Sequence, residues 1–146
     1  MKIGDVMNKK PTYIVNTSTF RQAASLVSDL QVSDLMVVDD DGMFLGVLSE
    51  GDLIRSTLPG YDDLMQDGTS LKGAWKVFLE KGQELANNPI HKLIIGAPVT
   101  FSSSDELLKA ASTMINKQIR VLPVIDDGKL VGTISRGDLC KAVLGE

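Results

Sequence analysis

The residues with the most chemical meaning form a corner that occurs twice, Gly46-Val47-Leu48-Ser49-Glu50-Gly51-Asp52 and Gly132-Thr133-Ile134-Ser135-Arg136-Gly137-Asp138. In each, an apolar run ends at a serine and an aspartate follows three positions on. A helix that begins there has first-turn N–H groups without intrahelical partners, which suit an anion such as a phosphate. The serine hydroxyl can donate to a phosphate oxygen. The carboxylate can accept two hydrogen bonds from a vicinal diol, as on ribose. The same residues also read as plain helix starts, with Ser49 and Ser135 as N-caps and Asp52 and Asp138 complementing the helix dipole. One corner alone favours the cap reading. Two corners, each at a strand-to-helix junction, favour a nucleotide.

The rest of the chain offers little catalytic chemistry. No HExxH, CxxC, GxSxG, P-loop or GxGxxG pattern occurs. His91, the single histidine, stands at the exit of a linker and reads as solvated or capping. Asp39-Asp40-Asp41 and Asp126-Asp127 fall at hairpin turns and read as turn carboxylates rather than metal ligands. Asp62-Asp63 reads as a charge pair at a helix entry. The lone Cys140 cannot form an internal disulfide and reads as a small core residue. No catalytic residue and no metal ligand is assigned.

The elements that must position the two corners are themselves repeated. Val37 to Leu53 matches Val124 to Leu139, the first copy carrying one extra Asp in its turn. Upstream, Ala23-Ala24-Ser25 matches Ala110-Ala111-Ser112, and Pro11 matches Pro98. Two copies are too few for a solenoid and suit a pseudo-symmetric pair. Each copy predicts a short strand (Thr12 to Val15, Val99 to Phe101) and a cap at Ser18, or at Ser104 or Asp105. An amphipathic helix follows, then a buried strand (Leu35 to Val38, Val121 to Ile125). The Asp41-Gly42 and Asp127-Gly128 turns close a hairpin onto Phe44 to Leu48 and Leu130 to Ile134. A last helix starts near Leu53 or Leu139. The order is β-α-β-β-α, twice, an α/β (α+β) fold with a first unit at 1–58, a helical insertion at 59–90 and a second unit at 91–146. In the insertion, Leu71, Trp75, Phe78, Leu79 and Leu85 predict an amphipathic helix ending near Asn87-Asn88-Pro89, with Trp75 and Phe78 packed on the core, a surface for a partner protein being the alternative.

Composition sets the outer bounds. The chain has 146 residues, 43% hydrophobic and 23% charged, a soluble globular balance. A net charge of −4 without a basic run argues against a broad nucleic-acid surface. No apolar run is long enough to span a bilayer, and the start lacks the apolar stretch of a secretory signal. A cytoplasmic protein without a membrane partner is the expectation.

Leu122-Pro123-Val124-Ile125-Asp126-Asp127-Gly128-Lys129-Leu130-Val131-Gly132-Thr133-Ile134-Ser135-x-x-Asp138-Leu139, the weaker copy from Leu35 to Leu53 and the opening Ile3-Gly4-Asp5-Val6-Met7 together resemble the tandem CBS domain (Bateman module) family. The resemblance implies two units about a pseudo-two-fold axis, often paired as a disc-shaped homodimer. It implies clefts between the units that take AMP, ADP, ATP or S-adenosylmethionine, with no required cofactor. Carried over, one cleft would use Ser135 and Asp138, with Thr133 at the base, Arg120 at the phosphate and Asp5 and Lys10 in the closing segment. The other would use Ser49 and Asp52 with Val47 and the segment from Ile94 to Ala97. The position matching Arg120 in the first copy is Ser33, followed by Asp34, so the Asp138 cleft is expected to bind the tighter. Met36 stands where the second copy has Pro123, which questions the shape of the first core strand. The implied function is a regulatory sensor of adenine nucleotides, not an enzyme, that signals to a separate effector protein. The alternative is an interaction or dimerisation module with empty clefts.

Overall fold

The computed structural model describes residues 1–57, 71–94, 96 and 99–145. The first unit runs β1 (Tyr13–Val15), α1 (Phe20–Leu30), β2 (Asp34–Val38), β3 (Phe44–Ser49) and α2 (Glu50–Thr57). After it come α3 (Leu71–Leu85) and a 3-10 turn (Ile90–Leu93). The second unit follows with α4 (Leu107–Asn116), β4 (Val121–Asp126), β5 (Lys129–Ser135) and α5 (Arg136–Leu144). β1 pairs parallel to β2, and β2 antiparallel to β3. β4 pairs antiparallel to β5. Among the described residues no helix is long and apolar enough to cross a membrane.

The expected order is present with one reduction. The leading strand of the second unit is a single parallel bridge, Phe101 to Val124. Its bonds are Phe101 N–H to the Pro123 carbonyl (3.2 Å) and Ile125 N–H to the Phe101 carbonyl (2.7 Å). Pro123 has no N–H with which to extend that ladder toward Val99, whereas Met36 at the matching place does, and β1 pairs over three residues. Met36 therefore leaves the first core strand paired on both sides, with a register shift against β3 only between Val37 and Val38.

Both hairpins end in turns that need positive φ. Asp127 and Gly128 sit at +51° and +79°, the two-residue turn that matches strand twist, and Gly42 at +83° closes the longer first turn. The two turns bond to each other across the units, Phe44 N–H to the Gly128 carbonyl (2.9 Å) and Leu130 N–H to the Gly42 carbonyl (3.3 Å). Each unit has its own core. Ile14, Ala23, Leu35, Val37, Leu48 and Ile90 form one. Ile3, Phe101, Ala110, Met114, Leu122, Val124 and Ile134 belong to the other, so the chain's start packs into its second half.

Several local expectations move. The cap of α1 is Thr19, one residue after Ser18, in a capping box with Gln22. Ser18 instead accepts the Ile90 N–H on its carbonyl and tethers the linker exit. Neither Ser104 nor Asp105 caps α4. Its N-cap position is Glu106, without a side-chain cap, and Asp105 accepts the Ser102 N–H. The last helix of each unit starts directly after the serine, at Glu50 and Arg136, three residues before the expected start. Cys140 is exposed, because α5 buries Leu139 and turns the next side chain outward. Trp75 is 60% exposed; it stacks on Phe78, ring centroids 5.5 Å apart, rather than sinking into the core. Asp62-Asp63 lies outside the described residues.

Candidate functional site

Antiparallel pairing of β2 with β3 and of β4 with β5 brings Asp34 opposite Ser49 and Val121 opposite Ser135, at the hairpin ends away from the turns. The two corners thereby face the junction of the units, and two clefts open there. The second-unit cleft, about 360 Å³, is lined by Thr133, Ser135, Asp138 and Arg120, with Asn8, Thr12, Gln31, Ser33 and Asp34 from the first half of the chain. The first-unit cleft, about 250 Å³, is lined by Val47, Ser49, Asp52, Asp34 and Gly96, with an apolar wall of Val99, Ile119, Leu122 and Pro123. Small-molecule sites usually hold about 300–1,000 Å³. Of the two clefts, the second-unit one reaches that range among the described residues.

The corners share a frame and differ in what remains available. In the second unit the Ser135 Oγ accepts the Asp138 N–H (3.0 Å), and Asp138 Oδ2 accepts the Ser135 N–H (2.9 Å), a capping box. Asp138 Oδ1 has no partner among the described residues, and the Ser135 hydroxyl donates to none of them. In the first unit Asp52 Oδ2 accepts both the Ser49 N–H (3.0 Å) and the Ser49 hydroxyl (2.8 Å). Asp52 Oδ1 pairs with the Arg55 guanidinium at 2.7 Å. Burial pushes the Asp52 carboxyl up, but the Ser49 N–H, the Ser49 hydroxyl and Arg55 outweigh it and hold it below the usual carboxylate range. The cap reading and the ligand reading thus describe the same atoms. Both serines serve as caps, and the second corner keeps the greater spare hydrogen-bonding capacity.

Charge divides the clefts less simply than the repeat suggests. Arg120 and Ser33, matching positions of the two copies, both line the second-unit cleft. Asp34 lines both clefts. The described lining of the first-unit cleft therefore has two carboxylates and no cation, while Arg120 offsets Asp34 in the other.

Three expected residues lie elsewhere. Asp5 is drawn to its own turn, where its carboxylate accepts the Lys2 N–H (2.9 Å), and it borders an adjoining hollow with Met1 and Lys141 that shares Asn8 and Asp138 with the second-unit cleft. Lys10 lies beyond the edge of β1, in an outer groove with Lys9, Tyr13 and Asp39. Ile94 packs against the first core and not in the cleft lining. Ala97 lies outside the described residues. The opening segment does reach the second-unit cleft, through Asn8 and Thr12 rather than Asp5 and Lys10. Asn8 is fixed by a two-way bridge to Thr133, N–H to carbonyl at 2.8 Å one way and 3.1 Å the other. Gly132 allows this approach, since a Cβ there would stand 2.7 Å from the Asn8 carbonyl oxygen. The signal that could have singled out Asn8 was that glycine, which marks where another backbone comes close.

The profile of the CBS domain family matches residues 3–58 and again 90–145. CBS domain-containing protein CBSX2 of Arabidopsis thaliana, described as chloroplastic, is 32% identical across 97% of this chain, which spans 63% of that relative's length. A crystal structure of CBSX2 in complex with AMP superposes with a TM-score of 0.73 at 26% identity, covering 99% of this chain and 96% of that one. The acetoin utilization protein AcuB of Vibrio cholerae shares the fold, with a TM-score of 0.76 at 21% identity over 99% of this chain and 91% of that one. With two family matches on two β-α-β-β-α units, the chain belongs to the CBS domain family as a tandem pair.

Proposed function

We propose that this protein is a regulatory module that binds an adenine nucleotide in its second-unit cleft and signals its occupancy to a separate effector protein. The observation that carries the reading is the spare capacity of the second corner, with Arg120 on the same wall. In this reading Asp138 takes the ribose hydroxyls, Ser135 and Arg120 the phosphate, and Thr133, Asn8 and Thr12 the base and the cleft rim. The AMP held by CBSX2 supports this ligand class. ADP, ATP and S-adenosylmethionine are the competing members of it. The role is binding rather than catalysis, and residence in the cytoplasm belongs to the same proposal. The first-unit cleft, with Ser49, Asp52 and Val47, is the weaker site.

Calorimetric titration of AMP tests the reading. Asp138→Ala is expected to weaken AMP binding at least about tenfold, the scale of one or two lost charge-assisted hydrogen bonds. Asp52→Ala is expected to leave the tight site within about twofold. The opposite ranking would assign the tight site to the first-unit corner.

A second reading, dimerisation, rests on a different observation. Leu108, Ile115, Val143 and Leu144 of α4 and α5 are 65–81% exposed. We take a second copy of this chain as their partner, giving a homodimer, and this is compatible with ligand binding.

A further inference from the structure

The first-unit corner carries a feature that its twin lacks. An ionised carboxylate offers about four acceptor positions. Asp52 has three in use, two by Ser49 and one by Arg55, and Asp138 has one, by the Ser135 N–H. A vicinal diol needs two. The second corner can supply them as it stands, and the first has one left while the Ser49 hydroxyl and Arg55 hold theirs. The latch is local and fits its surroundings. Arg55 follows Asp52 by three residues on α2, its side chain is 69% exposed, and that of Asp52 is 13% exposed. Gly51 leaves the room, since a Cβ there would stand 3.0 Å from the guanidinium. Lys141 occupies the matching position of α5 and makes no ion pair with Asp138 among the described residues.

We propose that Arg55 is the specificity-determining residue of the first-unit cleft, latching Asp52 so that a neutral riboside cannot enter. This rests on the nucleotide-binding reading above. A neutral riboside would have to displace the guanidinium from Asp52 and offer it nothing in return. The latch thus leaves adenosine one open cleft per chain.

Titration of the full chain with adenosine, a ligand without phosphate, is the test. The wild-type protein is expected to bind one adenosine per chain. Arg55→Ala is expected to bind two, the added site tightening by about tenfold or more, the scale of a charge-assisted hydrogen bond that no longer has to be broken. Arg55→Ala combined with Asp52→Ala is expected to return to one, and Arg55→Ala combined with Asp138→Ala to keep the released site. Two equal sites in the wild type, or one site in Arg55→Ala with an unchanged melting temperature, would sink the latch and leave the nucleotide reading intact. Absence of binding by both adenosine and AMP in every variant would overturn that reading, and the latch with it.

Discussion

Asp52 and Asp126, one in each unit, are carboxylates whose surroundings favour the charged form. For Asp52, burial works against ionisation and is outweighed by Ser49 and Arg55. Asp126 is held low by the Ser103 hydroxyl, the Ser102 hydroxyl and the Ser103 N–H, which together tie the segment before α4 to the end of β4. A carboxyl with a lowered folded pKa contributes stability that is fully present above its unfolded value, about 3.9. That contribution is lost as pH falls through the lower, folded value. Urea unfolding followed from pH 6 down to pH 2.5 should therefore show the wild type losing stability faster than Asp52→Asn or Asp126→Asn below about pH 4. Equal acid slopes in all three proteins would remove both carboxylates from the account. Much of this scale could be read in the chain itself. The two Ser-x-x-Asp corners stand out because they repeat. The Arg55 latch does not, because it depends on a guanidinium lying over Gly51, and nothing in one-dimensional spacing separates Arg55 from its counterpart Lys141. Asp126 read as a plain turn carboxylate for a similar reason, since its partners are 23 and 24 residues away.

At the scale of elements, strands and turns were the legible part. Apolar runs bounded by Asp-Gly can close only as hairpins, and the pairing of β2 with β3 and of β4 with β5 follows. Less legible was what crosses between elements. The first strand of the second unit is cut short by Pro123, a consequence visible only once the parallel register is known. The bridge to Thr133 puts Asn8, rather than Asp5 or Lys10, in the lining of the second-unit cleft, a placement that spacing alone does not show. Two glycine substitutions separate the physics at work. At Gly132 an added Cβ meets the Asn8 carbonyl and the Met7 sulfur, both at 2.7 Å. Gly132→Ala should therefore destabilise by about 1–3 kcal/mol through overpacking. By displacing Asn8, it should also weaken AMP binding. At Gly42 a Cβ would meet nothing within 4 Å, so Gly42→Ala should show only the strain of φ at +83°, about 1–2 kcal/mol. It should leave AMP affinity unchanged. Thermal melts paired with AMP titration distinguish the two, and a Gly132→Ala protein with unchanged affinity would release the opening segment from the site.

For the whole molecule, the hairpin turns join the units at one end while the clefts lie at the other. Backbone bonds link Phe44 to Gly128 and Leu130 to Gly42, and the Ser-x-x-Asp corners are at the opposite strand ends. A ligand in the second-unit cleft therefore touches both units away from the turn contact and beside the Asn8–Thr133 bridge that also joins them. The helices that would carry a change between the units outward are not equivalent. Leu108 and Ile115, seven residues apart and so on one face of α4, are 81% and 65% exposed. The repeat places Arg21 and Ser28 at the matching positions of α1. With Val143 and Leu144 of α5 also exposed, this apolar surface belongs to the second unit. Burying a leucine or isoleucine side chain contributes about 1.5–3 kcal/mol, so two copies meeting on this face would gain from taking several such side chains out of water. Sedimentation velocity should show a dimer for the wild type and a folded monomer for Leu108→Asp combined with Ile115→Asp, both side chains being already in solvent within one chain. A wild-type monomer at tens of micromolar, or a dimer that survives both aspartates, would place the contact elsewhere. If the dimer forms here, AMP should shift the monomer–dimer balance in the wild type and lose that effect in Asp138→Ala, because linkage requires the ligand to act through the cleft it occupies.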